Sequence, residues 1–437
     1  MKQAFDDNTA VWLIGAPPDE PSPPLTRDLD VDVAIIGGGF TGVSTAYYMS
    51  QRFPDRGIAL LEAKRLANGA SGRNGGLVLN GITVLDYDPD LIAREYKITR
   101  EAIDDIEQLI ARRNLPVRFR RTGCVHISTT QQSAEEAHQR VEDLSARGVP
   151  LTYLRGNELD GVLRARGAHA AILDPTEGLL VGVDLIRAMR PLLVEQGVQI
   201  YESTPVLRIR EGAPIEVVTP QATVRARAIV LATSGYTPRL GYFRAGLLPV
   251  ISHVIATDPL PAELLARTGL ANVAGFFDDL PRLAYCSVDT EGRVIFGGGT
   301  TAAYGYRFGN ATTFSPRLDD AGALALRGSL THYLPQLADV PIRHRWSGPL
   351  DLTLRRHCAI GVLRNNIYYG VGYSGHGITL ANLAGRVITD LYAGNHEPWR
   401  DVAFYNKRPT GIPPEPLRWI GYHLYTKLTG KSPWKRA

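Results

Sequence analysis

The chain has 437 residues, 44% hydrophobic and 21% charged, with a formal net charge of +4. That is an ordinary soluble, globular balance with room for two domains, and the charge is too small and too dispersed to suggest nucleic acid as a partner. Its three cysteines, Cys124, Cys286 and Cys358, lie far apart with no CxxC pair, which argues against a metal site or a disulfide framework and fits a reducing compartment.

The opening MKQAFDDNTAVWLIGAPPDEPSPPL carries acids and prolines where a signal peptide needs an apolar run. No later stretch reaches the roughly 18 consecutive apolar residues of a membrane span, so the cytoplasm is the expected compartment. Residues 1–30 read as an arm. An apolar strand follows at Val31 to Ile36, then glycines, a helix from about Thr41 to Gln51 and a second strand at Ile58 to Leu61. Ile92, Ile98, Ile103, Ile106 and Ile110 recur on one face of a helix near 92–113. VRFRRTGCVHIST reads as one strand and SAEEAHQRVEDLSARG as a helix. DLIRAMRPLLVEQGVQIYEST is helix, Gly197, strand, and ATVRARAIVLAT is a strand. AYCSVDTEGRVIFGGG is a hairpin turning at Thr290–Gly292. NIYYGVGYSGHGITLANLAGRVITDLYAG returns to strand, glycine turn and helix.

The first turn, Gly37-x-Gly39-x-x-Gly42, has the spacing of a dinucleotide grip. Gly37 permits the turn, Gly39 lets a pyrophosphate approach the backbone, and Gly42 lets helix and strand pack, with the helix N-terminus supplying partial positive charge. Glu62, twenty residues past Gly42, suits both hydroxyls of an unphosphorylated ribose. This pattern alone leaves NAD and FAD open.

Taken together, VDVAIIGGGFTGVSTAYYM, GASGRNGG, ARAIVLATSGY, RVIFGGG and YYGVGYSGHGITLANLAGRVITDL resemble the D-amino-acid oxidase superfamily of FAD-dependent oxidoreductases. The resemblance is nearest to its γ-glutamylputrescine-oxidase-like branch and runs from roughly residue 10 to 400. It implies an α/β protein of two domains: a Rossmann-type FAD-binding domain (31–110, 166–240 and 346–400) and a mixed-sheet α+β substrate domain (111–165 and 241–345). Residues 401–437 remain as a basic tail. It implies one FAD, gripped at Gly37, Gly39, Phe40, Thr41, Gly42, Glu62 and Ala63. Val206 would meet the adenine, and Ala232 and Thr233 the pyrophosphate. The loop Ser71, Arg73, Asn74, Gly75 and Gly76 would lie against the flavin with Gly348. Ser234 stands where the family more often has glycine or alanine. Arg73 and Asn74 would hydrogen-bond flavin carbonyls, the pyrophosphate or neighbouring loops.

The second turn, Gly372, Gly375, His376, Gly377, Ile378 and Thr379, would place bare amides and a helix N-terminus near flavin N1 and O2. His376 either faces the flavin edge or caps the helix. Some relatives tether FAD through cysteine or histidine. Here Cys286 does not match such a position and Cys358 replaces an expected proline, so both read as buried apolar residues and FAD as non-covalent.

The implied reaction is hydride transfer from a carbon bearing an amine to flavin N5, with a small amine or amino acid as substrate and no metal. Electrons would pass to oxygen or, alternatively, to a quinone or protein acceptor. His253, Tyr285, Tyr304, Arg307, Trp346 and Arg356 are the candidates for reading the substrate. In the tail, Leu417, Ile420, Leu424 and Leu428 fall on one helical face near Arg418, Lys427, Lys431, Lys435 and Arg436. Such a helix either packs on its own protein or lies on a membrane surface.

Overall fold

A computed structural model describes residues 10–81, 87–310, 318–364 and 366–429. Lys431, Lys435 and Arg436 of the expected tail lie outside these.

Leu29–Ile36, Ile58–Leu61, Gln199–Tyr201, Thr223–Leu231 and Ile367–Val371 pair in parallel, in the spatial order 199–58–29–223–367. These short runs are rich in Val, Ile and Leu; Ile58–Leu61, Ile367–Val371 and the last four residues of Leu29–Ile36 and of Thr223–Leu231 are buried, as a sheet covered on both faces requires. An antiparallel hairpin, Arg208–Arg210 with Ile215–Val218, pairs with the start of Thr223–Leu231 on the side where Ile367–Val371 pairs with its end, and Ala359–Leu363 lies antiparallel along Ile367–Val371. The helices Phe40–Arg52, Pro89–Arg112, Gly182–Glu195 and Gly377–Tyr392 contribute apolar side chains to the same large core. Phe40–Arg52 and Gly377–Tyr392 approach so closely that a Cβ at Gly385 would lie 2.2 Å from Ser44 Oγ. Pro89–Arg112 starts after Asp88, whose carboxylate accepts from the Asp90 and Leu91 amides at 3.0 and 3.2 Å, a cap worth about 1 kcal/mol.

A second, nine-stranded sheet runs Tyr304–Tyr306, Leu248–Thr257, Val294–Gly297, Tyr285–Val288, Gly275–Asp278, Cys124–Ser128, Ala170–Asp174, Thr152–Leu154, with Ile342–Leu352 also lying along Leu248–Thr257. The chain is therefore an α/β protein with a Rossmann-type unit and a mixed-sheet unit. Two expected boundaries need correction. Ala170–Asp174 pairs with Cys124–Ser128, and residues 346–352 continue the strand Ile342–Leu352, so both belong to the nine-stranded sheet rather than to the nucleotide-binding part. VRFRRTGCVHIST is likewise two strands. Gly123, at φ +81°, redirects the chain between Phe119–Arg120, in a small three-stranded sheet, and Cys124–Ser128.

The proline-rich arm is anchored to the first unit. Trp12 is buried, and Asp19 accepts from Arg65 and Arg190 at 2.6 and 2.7 Å. No helix among the described residues is long and apolar enough to cross a membrane.

Candidate active site

At the end of the first strand Gly37 takes φ +111°, and a Cβ there would fall 2.5 Å from Ala232 O. A Cβ at Gly42 would lie 1.9 Å from Gly37 O, so this glycine sets the helix-to-strand spacing and stands behind the cavity wall. The helix Phe40–Arg52 has Gly39 as N-cap with no side-chain cap and no acid in its first turn. Its first amides therefore keep their positive potential, partly answered by Ser71 Oγ, which accepts from Phe40 N at 3.0 Å. Glu62 accepts from Gly38 N at 2.8 Å and from Lys64 N at 2.9 Å. Burial raises its pKa, and those amide bonds pull it back.

In the loop SGRNGG the side chains turn away from the open space. Arg73 is buried, donating through Nε to Asn68 O at 2.8 Å and through Nη1 to Ser347 O at 3.2 Å. Asn74 Nδ2 donates to Ser71 O at 2.9 Å, and its Oδ1 accepts from Gly76 N at 2.9 Å. Both residues thus bond neighbouring backbone, one of the partners expected for them, and both line the cavity. The loop carbonyls are held from three directions. Trp346 Nε1 donates to Arg73 O at 2.9 Å, Trp12 Nε1 to Asn74 O at 2.7 Å and Ser287 Oγ to Gly75 O at 2.6 Å. Such satisfaction is what buried carbonyls require. A Cβ at Gly75 would strike the Tyr285 ring at 2.6 Å.

The second turn rests on Asp351, whose Oδ2 accepts from Gly372 N at 2.7 Å. Gly372, Ser374 and Gly375 all take positive φ before the helix Gly377–Tyr392. His376 is its N-cap residue, makes no side-chain cap bond and lines the cavity. Burial, then His126 and Arg356, lower its pKa to about 4, so the imidazole is neutral at neutral pH. Thr379 Oγ1 donates to Leu79 O at 2.7 Å, and it and Gly372 lie behind the wall rather than on it.

One cavity of about 930 Å³ connects both turns. Gly37, Gly39, Phe40, Thr41, Glu62, Ala63, Ala232 and Thr233 line it, as do Val206 with its neighbours Pro205 and Leu207. Ser71, Arg73, Asn74, Gly75, Gly76, Gly348, Gly375, His376, Gly377 and Ile378 continue the lining. Ser234, also on the wall, takes φ +46°, which explains why glycine suits that position.

Strand register builds the opposite side. His126 pairs with Phe277, and Phe277 with Tyr285, so three rings from three strands stand abreast over the glycine loop. His126 and Phe277 lie 4.1 Å apart between centroids. His126 Nε2 and Glu177 Oε2 are 2.9 Å apart, and Asn80 N donates to Glu177 Oε1 at 2.8 Å. Burial pulls the His126 pKa down and Glu177 pulls it up, for a net rise. Single residues 150 positions apart carry no sequence signal, so His126, Phe277 and Asp351 were not foreseeable as a group.

Of the six substrate candidates, Tyr285, Tyr304 and Arg356 line the cavity. His253, Arg307 and Trp346 do not. Val250 and Ser252 face it, so strand alternation turns His253 to the other side of the sheet. Arg307 lies just past Tyr304–Tyr306, its amide bonded to Pro249 O, and Trp346 is buried behind the loop it holds. Among the described residues, His253 Nδ1 is buried without a hydrogen-bond partner. Burial, then Arg307, lowers its pKa from 6.5 to about 4. A histidine with a depressed folded pKa binds fewer protons when folded, so its contribution to stability is full above about pH 6.5 and declines toward pH 4. Acidification from about pH 7.5 to about pH 5 is expected to cost the unaltered chain about 2 kcal/mol more than His253→Leu. Denaturant titrations at the two pH values check this, and equal losses would refute it.

The residues fit an extended FAD. Glycine cradles with no room for a Cβ, a helix N-terminus free of acids and the Glu62 carboxylate occupy one end, and Gly76, Phe277, Tyr285 and His376 line the other. Residues 32–391 match the family described as DAO, FAD dependent oxidoreductase. The chain is 30% identical over 396 residues to gamma-glutamylputrescine oxidoreductase of Escherichia coli, covering 87% of this chain and 88% of that protein. It is 27% identical over 391 residues to a probable oxidoreductase of Haemophilus influenzae, covering 86% of each. Among solved structures, glycine oxidase from Geobacillus kaustophilus superposes with a TM-score of 0.74 at 20% identity, over 88% of this chain and all of that one. With one cavity joining both glycine turns and the family match spanning most of the sequence, this chain belongs to the DAO family of FAD-dependent oxidoreductases, and FAD is its cofactor.

Proposed function

We propose that the protein oxidises the C–N bond of a small amine or amino acid, the resulting imine being hydrolysed to a carbonyl product and the electrons passing to dioxygen to give hydrogen peroxide. The observation that carries this reading is the cavity itself, which joins the dinucleotide-binding turn to a wall that includes His126, Phe277, Tyr285 and His376. Names of relatives support the substrate class, since they include gamma-glutamylputrescine oxidoreductase and glycine oxidase.

When bound, FAD supplies the hydride acceptor at flavin N5. The first turn and Glu62 would hold the adenosine and pyrophosphate, and the amides ahead of Gly377–Tyr392 would favour negative charge beside the ring. Tyr285, Tyr304 and Phe277 exclude water from the face where the substrate carbon would sit. Arg356 carries the guanidinium that would hold a carboxylate in place. The amine reacts in its neutral form, so positioning supplies much of the acceleration.

An anaerobic panel of amines and amino acids, read by bleaching of the visible flavin band, tests the reading. Bleaching by at least one amine and peroxide release in air are the expected results. A flavin that no amine reduces would end it. A second reading, a dehydrogenase feeding a quinone or a protein, is favoured by the apolar helix beside the cavity. It predicts amine-driven reduction of an artificial quinone with little peroxide.

A further inference from the structure

The helix Leu417–Thr429 packs with its sides reversed. A surface helix ordinarily buries its apolar stripe and leaves polar residues in water. Here Arg418, Tyr422 and Thr426 face the protein. Arg418 is 5% exposed, its Nη1 donating to Arg244 O at 2.8 Å and its Nη2 to Glu415 Oε1 at 3.1 Å. The Tyr422 ring lies 4.9 Å from that of Tyr306, and Arg282 donates to Thr426 O. Leu417, Ile420, Leu424 and Leu428 stand outward, 61%, 49%, 55% and 72% exposed, with Trp419 and Tyr425 at 42% and 51%. Six of the fourteen exposed large apolar side chains found among the described residues thus fall on one thirteen-residue helix.

Charge points to what covers this face. From Pro416 to Ala437 the sequence holds no aspartate or glutamate and five basic residues, Arg418, Lys427, Lys431, Lys435 and Arg436. Arg418 is committed to Glu415, which leaves Lys427 and the three that follow the helix. A second copy pressed against this face would set base against base with no acid in the segment to answer. An anionic bilayer answers both properties, accepting leucine and tryptophan at the acyl boundary and lysine at the headgroups. We infer that this helix docks the protein on an anionic lipid surface, lying in the plane of the interface with Leu417, Ile420, Leu424 and Leu428 inserted.

The FAD-loaded full chain, mixed with phosphatidylcholine vesicles with or without about one-third phosphatidylglycerol, tests this by co-sedimentation. At least about tenfold stronger partition to the anionic vesicles is expected, weakening as salt is raised. The double variant Leu424→Glu with Leu428→Glu should lose at least about tenfold of that partition. Both side chains stand largely in water, so its flavin content and melting temperature should match those of the unaltered protein. Failure of the unaltered chain to bind anionic vesicles would overturn the inference, as would undiminished binding by the double variant. A dimer in ultracentrifugation that the double variant turns into monomer, with no vesicle binding, would assign the face to a second copy instead.

Discussion

Gly42→Val is expected to purify with less than about a tenth of the flavin carried by the unaltered chain, its secondary structure largely kept. The new Cβ would start 1.9 Å from Gly37 O, 3.1 Å from Gly37 C and 3.4 Å from Ile35 Cγ2. Two of those atoms are backbone of the turn that would receive the pyrophosphate, so relief comes only by moving helix and turn apart by about an ångström. Overpacking of this kind costs about 1–3 kcal/mol, and a displacement of that size at a binding turn removes the contacts it existed to make. Gly161→Ala is the matched control, because a Cβ there meets nothing within 4 Å. The ratio of visible flavin absorbance to protein absorbance after gel filtration, with far-ultraviolet circular dichroism, gives the answer. A full flavin complement in Gly42→Val would show that the close packing is dispensable.

Glu62→Ala should raise the FAD dissociation constant by about 10²-fold. The carboxylate does two things at once. It organises the turn by accepting from Gly38 N and Lys64 N, and it would offer its remaining lone pairs to the ribose. Charge-assisted bonds of this kind contribute about 1.5–3 kcal/mol each, so loss of the set amounts to about 3 kcal/mol. Glu62→Gln keeps an acceptor but not the charge, and about a tenfold loss is expected. Fluorescence titration of apoprotein with FAD measures both, and a change under twofold in Glu62→Ala would remove this residue from the binding account.

What the chain disclosed in advance was local. The turn at residues 37–42 and the helix after Gly377 are short-range patterns, since strand, glycine and helix follow one another within a few positions. Contacts made by register are of another kind. His126, Phe277 and Tyr285 meet only because Gly275–Asp278 lies parallel to Cys124–Ser128 and antiparallel to Tyr285–Val288. The misplaced edges at 166 and 346 have the same origin, because a strand's apolar alternation says that it joins a sheet but not which sheet. His253 failed as a cavity residue through a single step of parity along its strand. Arg73 and Asn74 are polar residues in a glycine-rich stretch, a pattern that fits ligand contact as well as backbone satisfaction. The positions of Asn68, Ser71 and Ser347 supply the backbone satisfaction.

The tryptophan clamps on the glycine loop also govern the order of events during synthesis. Trp12 emerges early, but its acceptor at Asn74 follows 62 residues later, and Trp346 reaches Arg73 across 273 residues. A loop held from both ends of the sequence stays unfinished until the last quarter of the chain has left the ribosome, because contacts of such separation close late. A chain cut short before Trp346 is therefore expected to lack one of the clamps on this loop and to hold the flavin poorly.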